Sequence, residues 1–124
     1  MDINRKIAEK VMGWKFKTIN DYTPFRHVVD DGGYILNGRV WKFLTGFNSF
    51  VWNPAERTDH AFEVVEKMLE LGWTFAICNN NPGCGGDYSA EFWNNDHPMS
   101  AGEFMIFDDN PATAISLAAL EAIK

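Results

Sequence analysis

The closing stretch constrains the fold more than any other part of the chain. Between Pro111 and Ile123 it carries Ala112, Ala114, Ala118, Ala119 and Ala122 together with Ile115, Leu117, Leu120 and Ile123. So many small side chains let a helix backbone come close to a sheet or a partner helix, and core packing is the expected use. Its start is equally well marked. Asn110 can cap it, Pro111 fits the first turn, and Asp108 and Asp109 sit near the positive end of the helix dipole.

The rest of the chain supplies partners for that helix. A first helix is predicted over residues 2–13, where Ile3, Ile7 and Val11 recur at four-residue steps, Arg5, Lys6, Glu9 and Lys10 take the wet side, and Gly13 is a stop. A second helix begins near Thr58 or Asp59, either of which can cap it. Its predicted apolar stripe is Phe62, Val65, Met68 and Leu69, flanked by Ala61 and Val64. Glu63, Glu66, Lys67 and Glu70 face water, with Glu63 pairing with Lys67 four residues on, and Gly72 ends the helix.

Between the helices the periodicity changes to that of strands. Tyr34–Leu36 and Arg39–Phe43 flank Asn37-Gly38, a pair that tolerates the positive φ angles of a two-residue type I′ hairpin turn. Residues 46–52 can add a short extended piece. Trp73–Cys78 alternates large and small residues, and the long turn NNNPGCGG leads to a second strand, Tyr88–Trp93, expected antiparallel to the first. Residues 103–107 read as a further extended segment. The order of elements predicts an α+β fold, a layered sandwich of a mainly antiparallel sheet with three helices, forming a single domain over residues 1–124.

Composition narrows the functional classes. Hydrophobic residues make up 46% of the chain and aromatic residues 15%, enough apolar surface for a core of its own. No apolar run approaches the length a membrane helix needs, and the N-terminus has no signal-peptide core, so neither a membrane partner nor export is expected. The net charge of −6 is unevenly placed: residues 1–62 hold nine Lys/Arg against seven Asp/Glu, residues 63–124 two against ten. Overall acidity argues against duplex nucleic acid as a partner, since that binding displaces phosphate counterions with Lys and Arg. Contacts to an anion are therefore expected from the first half, which holds Arg26, Arg39, Lys42 and Arg57.

Several of these segments resemble a known family. AEKVMGWK near the start, VWNPAERTDHAFEVVEKM in the middle, the strand ending YSAEFWN and the closing NPATAISLAALEAIK are similar to the phage ABA sandwich domain, and the order of elements is similar to that of NinX-like phage proteins. Residues 20–45 carry least of the likeness. The resemblance implies a helix–sheet–helix sandwich encoded by phages and prophages, with no established activity and no catalytic residues to carry over. Many members of the family carry a basic residue in the last helix, within AIC-x-AAL, where this chain has Leu117.

The search for chemistry turns up no G-x-S-x-G elbow, Walker A loop, HExxH or GxGxxG. Gly83-Cys84-Gly85-Gly86 leads to a strand rather than a helix, so it lacks the helix N-terminus of a phosphate cradle. Cys78 and Cys84 are expected to be reduced and structural. Joining His97 they fall short of a zinc set in both spacing and ligand number, so neither metal nor cofactor is expected. A Cys84 nucleophile assisted by His97 would need a depressed thiol pKa and a placed base. His27, His60 and His97 read as solvated. Glu91 is placed by strand alternation on the face opposite Phe92.

Binding is the favoured mode of action, and catalysis is not expected. The segment from residue 79 to residue 97 combines amides and aromatics, and the residues expected to hold a ligand are Asn79, Asn80, Asp87, Tyr88, Phe92, Trp93 and Asn94, with Arg57 to engage a phosphate. The same side chains also suit an Asn/Gly turn and an ordinary aromatic core. Together with the phage resemblance they suggest a counter-defence sponge in the host cytoplasm. It would sequester nucleotide immune signals, cyclic ADP-ribose isomers or cyclic oligonucleotides, as a homo-oligomer with the ligand at a subunit boundary. The alternative is a protein-interaction module that inhibits or recruits a host defence protein. An enzyme degrading such a signal is the third reading.

Overall fold

A computed structural model describes residues 3–18, 32–36, 40–43, 51–79, 86–96 and 105–124. Helix α1 opens as an α-helix, Ile3–Lys6, and continues as a π-helical turn, Ile7–Val11. It is shorter than the predicted 2–13 and more widely wound, with the Met12 N–H donating to the Ile7 carbonyl five residues back. Ile7, Ala8 and Val11 are buried, and Gly13 leaves the helix at φ +75°, a conformation L side chains rarely adopt.

Among the described residues the strands form two three-stranded sheets, with all four strand pairings antiparallel. The first holds β1 (Phe16–Thr18), β2 (Gly32–Leu36) and β3 (Val40–Phe43) in that order. Leu36 pairs with Val40, so three residues separate the paired ends. A two-residue Asn37-Gly38 turn would instead set Leu36 opposite Arg39, and the register excludes it. The turn residues themselves lie outside the described residues.

The second sheet holds β4 (Thr74–Asn79), β5 (Tyr88–Trp93) and β6 (Ile106–Asp108), with β5 in the centre. β4 starts and ends one residue later than Trp73–Cys78. The last strand covers only the end of the predicted 103–107 segment, of which residues 103 and 104 lie outside the described residues. β5 is covered on both faces. Ala90 and Phe92 are buried on one, Ser89 and Glu91 on the other, so the expected alternation holds without leaving a wet side. Gly86 enters β5 against β6, where a Cβ would lie 2.6 Å from the Asp108 backbone nitrogen, so this crossing requires glycine.

Helix α2, Thr58–Glu70, buries Ala61, Val64, Val65 and Met68. These positions, spaced i, i+3, i+4 and i+7, define the core stripe. The predicted stripe is rotated relative to it: Phe62 and Leu69 are 44% and 51% exposed. Arg57, in an extended conformation, occupies the N-cap without a side-chain capping bond, so neither Thr58 nor Asp59 is the cap. Gly72, at φ +94°, follows the helix as expected. Helix α3, Pro111–Ala122, begins as the sequence predicts, with the Asn110 side chain accepting from the Ala112 N–H at 2.9 Å. Ala112, Ala114, Ile115, Ser116, Ala118 and Ala119 are buried, and the helix packs on β5, β6, α2 and the first helix. The fold is thus α+β, with helices on an antiparallel sheet. Among the described residues no helix is long and apolar enough to cross a membrane.

One irregular segment ties the three helices together. Asn110, Thr113 and Ser116, spaced three residues apart on α3, donate to the carbonyls of Glu56, Ala55 and Pro54 at 3.2, 2.6 and 2.7 Å. From α1, the Asn4 amide donates to the Asn53 side chain, and its oxygen accepts from the Ala55 N–H, both at 2.9 Å. From α2, His60 Nδ1 accepts the Asn53 N–H at 2.8 Å, and Glu63 accepts from the Trp52 indole. Glu63, expected to face water, is therefore turned towards the core. Trp52 is 2% exposed and packs 4.7 Å from Trp14, ring centre to ring centre. These bonds, of which Ser116 to Pro54 is fully buried and most of the others partly so, satisfy polar groups of the loop that packing withdraws from water.

Candidate functional site

The antiparallel register of β4 and β5 decides the fate of the predicted ligand site. Asn79 pairs with Tyr88 at one end of the hairpin, and Trp93 pairs with Thr74 at the other. Five residues of strand separate those ends, about 17 Å at ~3.3 Å per residue. Within one chain the hairpin therefore sets Trp93 and Asn94 at one end and Asn79 and Asp87 at the other. Phe92 lies between the two ends but belongs to the core, 4.8 Å from Phe75, its partner across the strands. Asn80 lies outside the described residues, as do Cys84, His97 and His27. Cys78 is exposed on β4.

A relay of contacts runs from the residue before Arg57 to the Asn79 end of the hairpin. Glu56 accepts from Asn110, the Asp87 N–H donates to Asp109 at 3.2 Å, and Tyr88 pairs with Asp108. This end is acidic, however. Arg57 is already engaged, donating to Asp59 through Nε at 3.2 Å and Nη2 at 2.9 Å. That guanidinium holds the Asp59 carboxyl below its ordinary 3.8. At the hairpin end Asp87, Asp108 and Asp109 gather negative charge, which disfavours an anion there. Of the other basic residues named from the sequence, Arg26 and Arg39 lie outside the described residues, and Lys42 is on β3.

A different surface has the shape and charge for a ligand. A groove of about 760 Å³ opens between α1, α3 and β6, lined by Lys6, Lys10, Ile106, Leu117, Leu120, Glu121, Ile123 and Lys124. Its floor is aliphatic, from Ile106, Leu117, Leu120 and Ile123. Lys6 and Lys10 stand one helical step apart on one wall, and Lys124 rises from the other, 3.2 Å from Glu121. Three ammonium groups face one carboxylate, the reverse of the chain's overall balance. Sequence reasoning assigned Lys6 and Lys10 only to a wet helix face. Leu117, which the sequence marks as a departure from the resembled pattern, is among the lining residues.

Among the described residues the groove is lined by aliphatic and lysine side chains with the Glu121 carboxylate. Among the described residues, no three His, Cys, Asp or Glu side chains cluster to hold a metal. What it offers is an apolar surface with cationic edges, which suits holding an anionic molecule.

Comparison with known proteins agrees with the fold. The family described as the phage ABA sandwich domain matches residues 5–120, nearly the whole chain, and the chain belongs to that family. No curated protein and no solved structure matches it.

Proposed function

We propose that this phage ABA sandwich protein works by binding rather than catalysis, and that it sequesters a small anionic ligand of the nucleotide-signal class in the α1–α3–β6 groove. The observation that carries the reading is the groove itself, lined by Lys6, Lys10 and Lys124 over an aliphatic floor. Its volume of about 760 Å³ falls in the range of small-molecule sites. Phosphates would sit against the ammonium groups, and a ribose or base face would cover Leu117 and Leu120. A ligand held without a nucleophile or metal is stored intact, which is what a sponge acting in the host cytoplasm requires.

Calorimetric titration with cyclic ADP-ribose isomers and cyclic oligonucleotides tests this. Saturable binding is expected for at least one of them. Replacing both Lys6 and Lys10 by Glu is expected to weaken it at least about tenfold, a loss of ~1.4 kcal/mol. Arg57→Ala and Asn79→Ala should leave affinity unchanged. Silence across the panel removes the reading, and conversion of the ligand on long incubation replaces it with an enzyme.

A protein-interaction module is the second reading, favoured by α2. Phe62 and Leu69, seven residues apart on one face, are about half exposed there beside Glu66 and Glu70, an apolar stripe with an acidic border. Such patches mark protein contacts more often than solvent faces. A stoichiometric host partner with no retained nucleotide would favour this reading.

A further inference from the structure

We infer that the acidic, apolar stripe of α2 docks into the α1–α3–β6 groove of a second copy of this chain, so that the protein self-associates head to tail. Two surfaces on the same molecule carry opposite charge around matching apolar centres. On α2, Phe62 and Leu69 lie seven residues apart on one face, 44% and 51% exposed, with Glu66 and Glu70 beside them. In the groove, Leu117 and Leu120 form the apolar floor, with Lys6, Lys10 and Lys124 on its borders.

The dimensions agree. Seven residues of helix separate Phe62 from Leu69, about 10 Å at ~1.5 Å per residue. The same interval separates Leu117 from Lys124 along the other wall. Charge chooses between the possible pairings. Two α2 stripes facing one another would oppose Glu66 and Glu70 to their own copies, and like charges in contact disfavour that arrangement. Facing the groove, the same carboxylates meet ammonium groups.

The stripe cannot fill the groove of its own chain. Ala61, Val64, Val65 and Met68 fix the adjacent side of α2 in the core, and Phe62 rests edge-on against Phe75 at 6.4 Å, which leaves Phe62 and Leu69 about half exposed on the flank of the helix. The contact is therefore heterologous: each copy uses one surface to give and another to receive, and the assembly closes as a ring or extends as a chain. A single helix in a groove buries less than a standard interface, so association is weak, salt-sensitive and dependent on concentration. The self-contact stands without the small-ligand reading. One consequence rests on that reading: an anionic ligand competes with the incoming α2 for Lys6 and Lys10, and so disperses the assembly.

Sedimentation of the full chain at low salt, across a roughly hundredfold range of concentration, tests the contact. Average mass should rise with concentration and fall on adding salt. Glu66→Lys with Glu70→Lys, and separately Lys6→Glu with Lys10→Glu, should each weaken association at least about tenfold, and mixing the two variants should restore it. A protein monomeric throughout, or a mixture that stays dispersed, overturns the inference. Circular dichroism confirms that both variants are folded. Titrating the Glu66→Lys/Glu70→Lys variant, whose groove is unaltered, with cyclic ADP-ribose separates the two readings. Binding by a wild-type protein that never associates defeats the self-contact alone, whereas association without binding of any signal in the panel defeats the sponge alone.

Discussion

The Ser116 hydroxyl donates to the Pro54 carbonyl at 2.7 Å across 62 positions of sequence, with both residues fully buried. It is the innermost of three side-chain bonds by which α3 holds the loop before α2. Ser116→Ala leaves that carbonyl without its partner in a place water does not reach. The expected loss is ~1–3 kcal/mol in urea denaturation, the desolvation penalty of an unmade buried bond. Thr113→Val, which removes the bond to Ala55 nearer the surface, should cost less.

The rotation of the α2 stripe can be tested with neighbouring residues. Met68 is fully buried and Leu69 is 51% exposed. Met68→Ala should destabilise by about 2–5 kcal/mol, through lost transfer energy and the cavity left behind. Leu69→Ala should cost under about 1 kcal/mol. Equal losses would return Leu69 to the core.

Gly86 has no room for a methyl group, because its Cβ would meet Asp108 backbone atoms at 2.6–2.9 Å. Gly86→Ala must push β6 away from the start of β5. We expect a loss of ~1–3 kcal/mol, as for overpacking elsewhere. Faster amide exchange at residues 106–108 would accompany it.

Asp59 makes stability depend on pH. Its carboxyl is held below the ordinary 3.8, chiefly by the Arg57 hydrogen bond, so the folded state favours the ionised form. The resulting stability is fully present above the ordinary value and is lost as pH falls through the lowered one. The pair is exposed, so the effect is small. Asp59→Asn should therefore lose less stability than the wild type between about pH 5 and pH 2, measured by urea denaturation at each pH. Equal losses would show that the Arg57 pair contributes nothing.

The candidate site was far less legible than the elements that build it. Lys6 and Lys10 carry no local mark beyond belonging to a polar helix face, and Lys124 lies more than a hundred residues away in sequence. Asn79, Asp87, Trp93 and Asn94 looked like one cluster because they are close along the chain. Antiparallel pairing sends Asn79 and Asp87 to one end of the hairpin and Trp93 and Asn94 to the other, a separation that closeness along the chain does not show.

The sequence by itself determined the α+β class, the Asn110 cap, the glycine stops at Gly13 and Gly72, and the alternation of β5. Each depends on backbone geometry within a few residues, which side-chain type and spacing report directly. Only the tertiary structure decided which side of α2 is buried, how the hairpins are registered, and that three lysines line a groove in an acidic protein. Those outcomes depend on what packs against each face. That is a property of distant segments meeting, and no local pattern encodes it.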